Sequence, residues 1–92
     1  MAVVRIIETD IGPAEYDQMR SVLGIVDTPP PGGMFHVAAV GENGKMRIVE
    51  VWDSLGQAQA WGDKVTAARE AAGHGGPPPL LEYLDVYSIV QR

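Results

Sequence analysis

Cysteine is absent from the 92 residues, which excludes disulfides, thiol nucleophiles, Cys-based zinc sites and iron–sulfur clusters at once. Basic residues are scarce, seven against twelve acids for a net charge of -5. That balance argues against nucleic acid or an anionic membrane as a partner. Long apolar runs are missing and the mean hydropathy is -0.02, so no membrane span is expected. Residues Met1-Ala2-Val3-Val4-Arg5 lack the basic region and apolar core of a signal peptide, and a cytoplasmic location is expected. Neither G-x-G-x-x-G nor G-x-S-x-G occurs, which leaves a dinucleotide site and a serine-hydrolase elbow without support. Gly41-Glu42-Asn43-Gly44-Lys45 ends like a phosphate-binding loop, but Ala39 stands where its first Gly belongs and Met46 where Ser or Thr belongs. His36 and His74 have no close carboxylate partners in sequence, so no metal site is expected.

What is present is ordinary globular composition, 46% apolar and 21% charged, at a length that suits one domain over residues 1–92. Ala2 to Glu8 reads as a strand rich in β-branched residues. Gly12-Pro13 opens a helix with Tyr16, Met19, Val22 and Leu23 as its apolar stripe and Gly24 as its stop. Asp27 to Gly33 (DTPPPGG) reads as a stiff connection. Met34 to Val40 and Lys45 to Trp52 form a hairpin around Gly41-Glu42-Asn43-Gly44. Ser54 and Gln57 fit a capping box for a second helix running to about Ala72, with Ala58, Trp61, Val65, Ala68 and Ala72 buried and Gly73 as cap. After a second rigid loop, Gly73 to Pro79, Glu82 to Val90 is the last strand. The order β-α-β-β-α-β is the ferredoxin-like α+β arrangement, an antiparallel four-stranded sheet with both helices on one face.

Two helices cover one face of such a sheet, and a face left to water alternates apolar with polar. Val3/Val4, Ile6/Ile7, Val37/Ala38 and Ile48/Val49 instead place apolar groups on both sides. A second copy of the sheet is the simplest cover, so a homodimer is expected.

Glu50-Val51-Trp52-Asp53-Ser54, running from strand into helix, resembles the E-x-W-x-S signature of the dimeric α+β barrel proteins, which include the antibiotic-biosynthesis monooxygenase-like family. The resemblance implies two sheets paired into a barrel, with a ligand pocket between sheet and helices or inside each half. The activities it brings are diverse: cofactor-free oxygenation, haem degradation, cyclisation, isomerisation and plain binding. The haem-degrading branch has an Asn on the first strand, a Trp on the second helix and a haem-ligating His further along it. Trp61 matches that Trp, but the first strand here has no Asn, Ala71 and Ala72 stand where a ligand belongs, and His74 lies beyond Gly73.

The expected site centres on Glu50. On an apolar central strand it loses water, which raises its pKa toward that of a general base; an ion pair with Arg5 on the neighbouring strand does the opposite. His36 sits mid-strand, as a proton shuttle or as a buried neutral imidazole. A two-residue Asn43-Gly44 turn pairs Val37 with Glu50, whereas a bulged turn pairs His36 with Glu50. Trp52, Trp61 and Tyr87 are candidate walls of an aromatic pocket, with Arg5 beside them, while Tyr16 is read as helix packing. Two functions follow: a cofactor-independent enzyme (monooxygenase, isomerase or cyclase) acting on an apolar or aromatic metabolite, with Glu50 and His36 catalytic, or a non-catalytic binding or accessory protein. A haem-associated member is the third and least favoured reading.

Overall fold

In a computed structural model the described residues are 1–25, 28–73 and 78–92; Asp27 and His74 lie outside them. The elements are β1 (Val3–Glu8), α1 (Pro13–Leu23), β2 (Gly33–Val40), β3 (Met46–Trp52), α2 (Leu55–Ala71) and β4 (Leu80–Asp85). All strand pairs are antiparallel and the sheet order is β2-β3-β1-β4, so β3 and β1 are central. This is the ferredoxin-like α+β arrangement that the element order predicts.

Local chemistry explains the boundaries. Pro13 sits in the first turn of α1, and Gly24 closes it in the left-handed region at φ 75°. Ser54 caps α2: Gln57 N–H donates to Ser54 Oγ at 3.2 Å, one half of a capping box, and the Ser54 hydroxyl in turn donates to Gln57 Oε1 at 3.0 Å. The core gathers Trp52, Ala58 and Trp61, with Leu23, Ile25, Val65 and Tyr83 against it. The two indoles lie 5.9 Å apart at 36°, a tilted contact favoured by their quadrupoles.

The β2–β3 turn is the bulged one. Gly44 N–H donates to the Gly41 carbonyl at 2.9 Å, Gly41 N–H donates to the Lys45 carbonyl at 2.8 Å, and Gly44 adopts φ 77°. Five residues therefore separate Val40 from its partner Met46, and His36 falls opposite Glu50.

Three expectations need correction. Val22 is 72% exposed and lies off the buried stripe of α1, where Met19 is the buried residue. Ala72, placed in the buried stripe of α2, is exposed. The last strand spans Leu80–Asp85, not Glu82–Val90. Its final pair is Val3↔Asp85, and Val86 N–H makes one more bond, to the Ala2 carbonyl at 3.0 Å. There β1 ends, and among the described residues no strand pairs with those that follow.

Candidate functional site

The register lines up four side chains across the helix-covered face: His36 on β2, Glu50 on β3, Arg5 on β1 and Tyr83 on β4. Arg5 and Glu50 are 3% and 2% exposed, and charged groups are this buried only when paired. Arg5 Nη1 donates to Glu50 Oε1 at 2.8 Å. Trp52 Nε1 donates to the same oxygen at 3.1 Å. His36 Nδ1 meets Glu50 Oε2 at 2.9 Å, and on its other side Nε2 lies 2.6 Å from the Tyr16 hydroxyl on α1.

With His36 neutral, these contacts assign one direction to each hydrogen bond. Burial pushes the Glu50 carboxyl up, but hydrogen bonds from His36 and Arg5, the Arg5 charge and the Trp52 indole together outweigh it and hold the group below its ordinary value of 4.5. A carboxylate can only accept, so Nδ1–H of His36 donates to it. In the neutral imidazole Nε2 is then the acceptor, and Tyr16 O–H donates to it. Tyr16 is pushed above its ordinary 10.0, chiefly by burial; Arg20 opposes this, while Glu50 and Asp17 add to it. The result is a directed chain, Tyr16 O–H to His36 to Glu50, anchored by Arg5.

That chain opens onto a cavity of about 90 Å³ between sheet and helices, lined by Arg5, Tyr16, His36, Glu50 and Trp61 among others. The remaining walls are largely aliphatic, including Ile7, Met19, Leu23, Ile48 and Val65. Convergent polar groups in an apolar cavity are the usual form of a small-ligand site.

Several expected site residues come together and one does not. Glu50, His36 and Arg5 form one network, Trp52 braces it and Trp61 lines the cavity. Of the two readings of Glu50, the structure has the ion pair with Arg5: that pair and two further donors hold the carboxyl below its ordinary value instead of raising it. Tyr87 lies past the end of β4 and is fully exposed, away from the Glu50 network. Tyr16 is the residue that sequence reasoning assigned to packing and the structure assigns to the site. Its helical spacing looks the same in either role, so no signal in the sequence separates them. Among the described residues no group of three or more His, Asp or Glu could hold a metal ion, and no helix is long and apolar enough to cross a membrane.

No family profile and no curated protein matches the sequence. Solved structures do match in shape. A proposed antibiotic biosynthesis monooxygenase from Chloroflexus aurantiacus superposes with a TM-score of 0.68 at 18% identity, over 99% of this chain and 98% of that one. One from Deinococcus radiodurans gives 0.68 at 16% identity, over 100% and 98%. A substituted form of MhuD, with two manganese protoporphyrin IX molecules bound per active site, gives 0.57 at 21% identity, over 98% and 99%. The residues here do not fit a porphyrin. His36 is the one histidine among the described residues, and both of its ring nitrogens are engaged. Over nearly its whole length the chain has the fold of the antibiotic-biosynthesis-monooxygenase-like proteins.

Proposed function

We propose that the protein binds a small apolar or aromatic metabolite in the cavity between sheet and helices and abstracts a proton from it without a cofactor. The Tyr16–His36–Glu50 chain opening onto an apolar cavity carries this reading. His36 is the base. Tyr16 relays, accepting the substrate proton on its oxygen as it passes its own to His36 Nε2. Glu50 does not take up the proton; it fixes the imidazole tautomer and stabilises the imidazolium, while Arg5 keeps the carboxylate ionised. Removing a proton from an activated carbon or hydroxyl is a step that cofactor-free oxygenation, isomerisation and cyclisation share. Which of the three follows depends on the substrate.

We further place the protein in the cytoplasm as a homodimer. Val4, Ile6, Phe35, Val37, Val49, Val51 and Leu84 share the sheet face away from the helices, and four of them are notably exposed: Phe35, Val37, Val49 and Leu84. A face this apolar favours a second copy as cover.

Solvent deuterium exchange into aryl-substituted carbon acids such as phenylacetone, followed by NMR, tests the chemistry. The protein accelerates exchange, and His36→Gln lowers the acceleration by about 100- to 10,000-fold. Absence of acceleration across a panel of such carbon acids, with binding retained, favours the second reading, a binding protein without chemistry. One observation supports that alternative: the Arg5–Glu50 pair also braces the sheet, a structural role that needs no substrate.

A further inference from the structure

Helix α2 carries Gly56 and Gly62, and the two differ in what surrounds them. A Cβ at Gly56, in the first turn, would stand in open space. At Gly62 it would meet Arg5 Nη2 at 3.3 Å, the Tyr83 hydroxyl at 3.4 Å and Arg5 Nε at 3.7 Å. The closest of these is tight enough that the neighbour must retreat by a few tenths of an ångström. Glycine in a helix interior weakens the helix relative to alanine, so the bare position costs α2 something and gives close approach in return. Gly62 lies one turn beyond Ala58, which is fully buried. The two small residues bring α2 down onto β1 and β4, where Arg5 and Tyr83 sit opposite each other. The guanidinium beneath has little room to retreat. Arg5 is buried, its Nη1 donates to Glu50 Oε1 at 2.8 Å, and its Nε is enclosed with no hydrogen-bond partner.

We infer that Gly62 is a positioning residue for the proton chain: bare of a side chain, it lets α2 close over the Arg5 guanidinium and hold it on Glu50, which in turn orients His36. This deepens the proposed use of the site, and its catalytic part rests on that reading. The first link is the Arg5–Glu50 bond. A charge-assisted hydrogen bond depends on its length and direction, and enclosure under the helix strengthens it. The second is the carboxylate. The groups acting on Glu50 are His36 from β2, Arg5 from β1 and Trp52 on its own strand. A loosened Arg5 weakens one of these three, and burial then pushes the carboxyl back up. The third is His36, whose Nδ1–H is held by Glu50 Oε2 at 2.9 Å.

The Trp52 indole N–H donates to the same Glu50 oxygen as Arg5, so its resonance in the ¹⁵N-labelled protein reports Glu50 ionisation. In wild type it titrates below 4.5, where the carboxyl is held. In Gly62→Ala the midpoint moves up toward 4.5, and in Gly56→Ala it stays. For the same reason the fall in melting temperature from neutral to acid pH is smaller in Gly62→Ala, because less stability is tied to the charged form. The deuterium exchange proposed above slows several-fold in kcat with KM unchanged. Lysine has no Nη2 for the Cβ to meet, so adding Gly62→Ala to Arg5→Lys moves the Trp52 midpoint no further. An unmoved midpoint in Gly62→Ala, with melting temperatures lowered equally at every pH, makes Gly62 a mere spacer and overturns the positioning role. A moved midpoint in a protein that accelerates no exchange keeps the hold on Arg5 and overturns the relay instead.

Discussion

The two faces of the sheet invert the usual order of a globular protein. The face under the helices carries a row of ionisable groups, His36, Glu50, Arg5 and Tyr83, buried or half-buried between apolar neighbours. The opposite face carries valine, isoleucine, leucine and phenylalanine side chains, several of them open to water. Each departure has a cost. Buried charge loses hydration that its pairing must replace, and exposed apolar area forgoes the hydrophobic gain of burial. On the reading proposed above, the inner row serves a site and the outer face a second copy.

Substituting the centre of the inner row tests it most severely. Glu50→Gln removes the charge that balances buried Arg5, and breaking such a pair costs about 3–5 kcal/mol. Thermal denaturation shows a midpoint lower by at least about 10 °C. The double variant Arg5→Met/Glu50→Leu, which removes both charges, loses less than Glu50→Gln does. A double variant that loses the sum of two single-variant effects would show that the two residues act independently.

The outer face predicts a change of assembly. Val49→Asp places a charge in the middle of a face that we assign to a second copy, and it converts a dimer to monomers in light scattering at micromolar concentration. If the wild type is already monomeric, the substitution is a surface change worth within about 0.5 kcal/mol, and the homodimer assignment fails.

Acid separates the faces without mutation. Because Glu50 is held below its ordinary value of 4.5, its charged form contributes stability. That contribution is fully present above the unfolded value and is lost as pH falls through the lower folded value. Melting temperatures measured from neutral pH downward therefore decline below about 4.5, and Glu50→Gln flattens part of that acid limb. An identical limb in variant and wild type would place the acid sensitivity elsewhere.

Much of this architecture is legible in the residues because it depends on local chemistry. Pro13, Gly24, the Ser54–Gln57 box and the Gly41–Gly44 turn punctuate the chain at positions that the structure keeps. The inner site was legible as an inventory, Glu50, His36 and Arg5, but not as an arrangement. One residue of hairpin register decides whether His36 or Val37 faces Glu50, and the outcome depends on Gly44 adopting positive φ. The sign of the Glu50 shift depends on three donors converging from β1, β2 and β3 itself, a sum that no linear pattern displays. Val86, Ile89 and Val90 have strand-like composition, but β4 stops at Asp85 because β1 provides no partner beyond Val3.

The smallest effect belongs to Tyr16, the one contribution that a helix makes to the proton chain. Tyr16→Phe keeps the ring, which lies 6.0 Å from the His36 ring at 20°, and removes only the hydroxyl. Stability falls by about 1 kcal/mol, the net worth of one hydrogen bond, and the fold survives. The exchange reaction proposed above slows, because His36 must then take the proton directly. Tyrosinate absorbance supplies an independent check. Wild-type Tyr16 titrates above its ordinary 10.0, so the protonated form is favoured in the folded state. The stability tied to it is present below 10.0 and is lost as pH rises through the higher folded value. Tyr16→Phe therefore removes a part of the curve that titrates above 10.0. Loss of an early-titrating part instead would mean that the Tyr16 hydroxyl does not donate to His36, and the relay would reduce to His36 and Glu50 alone.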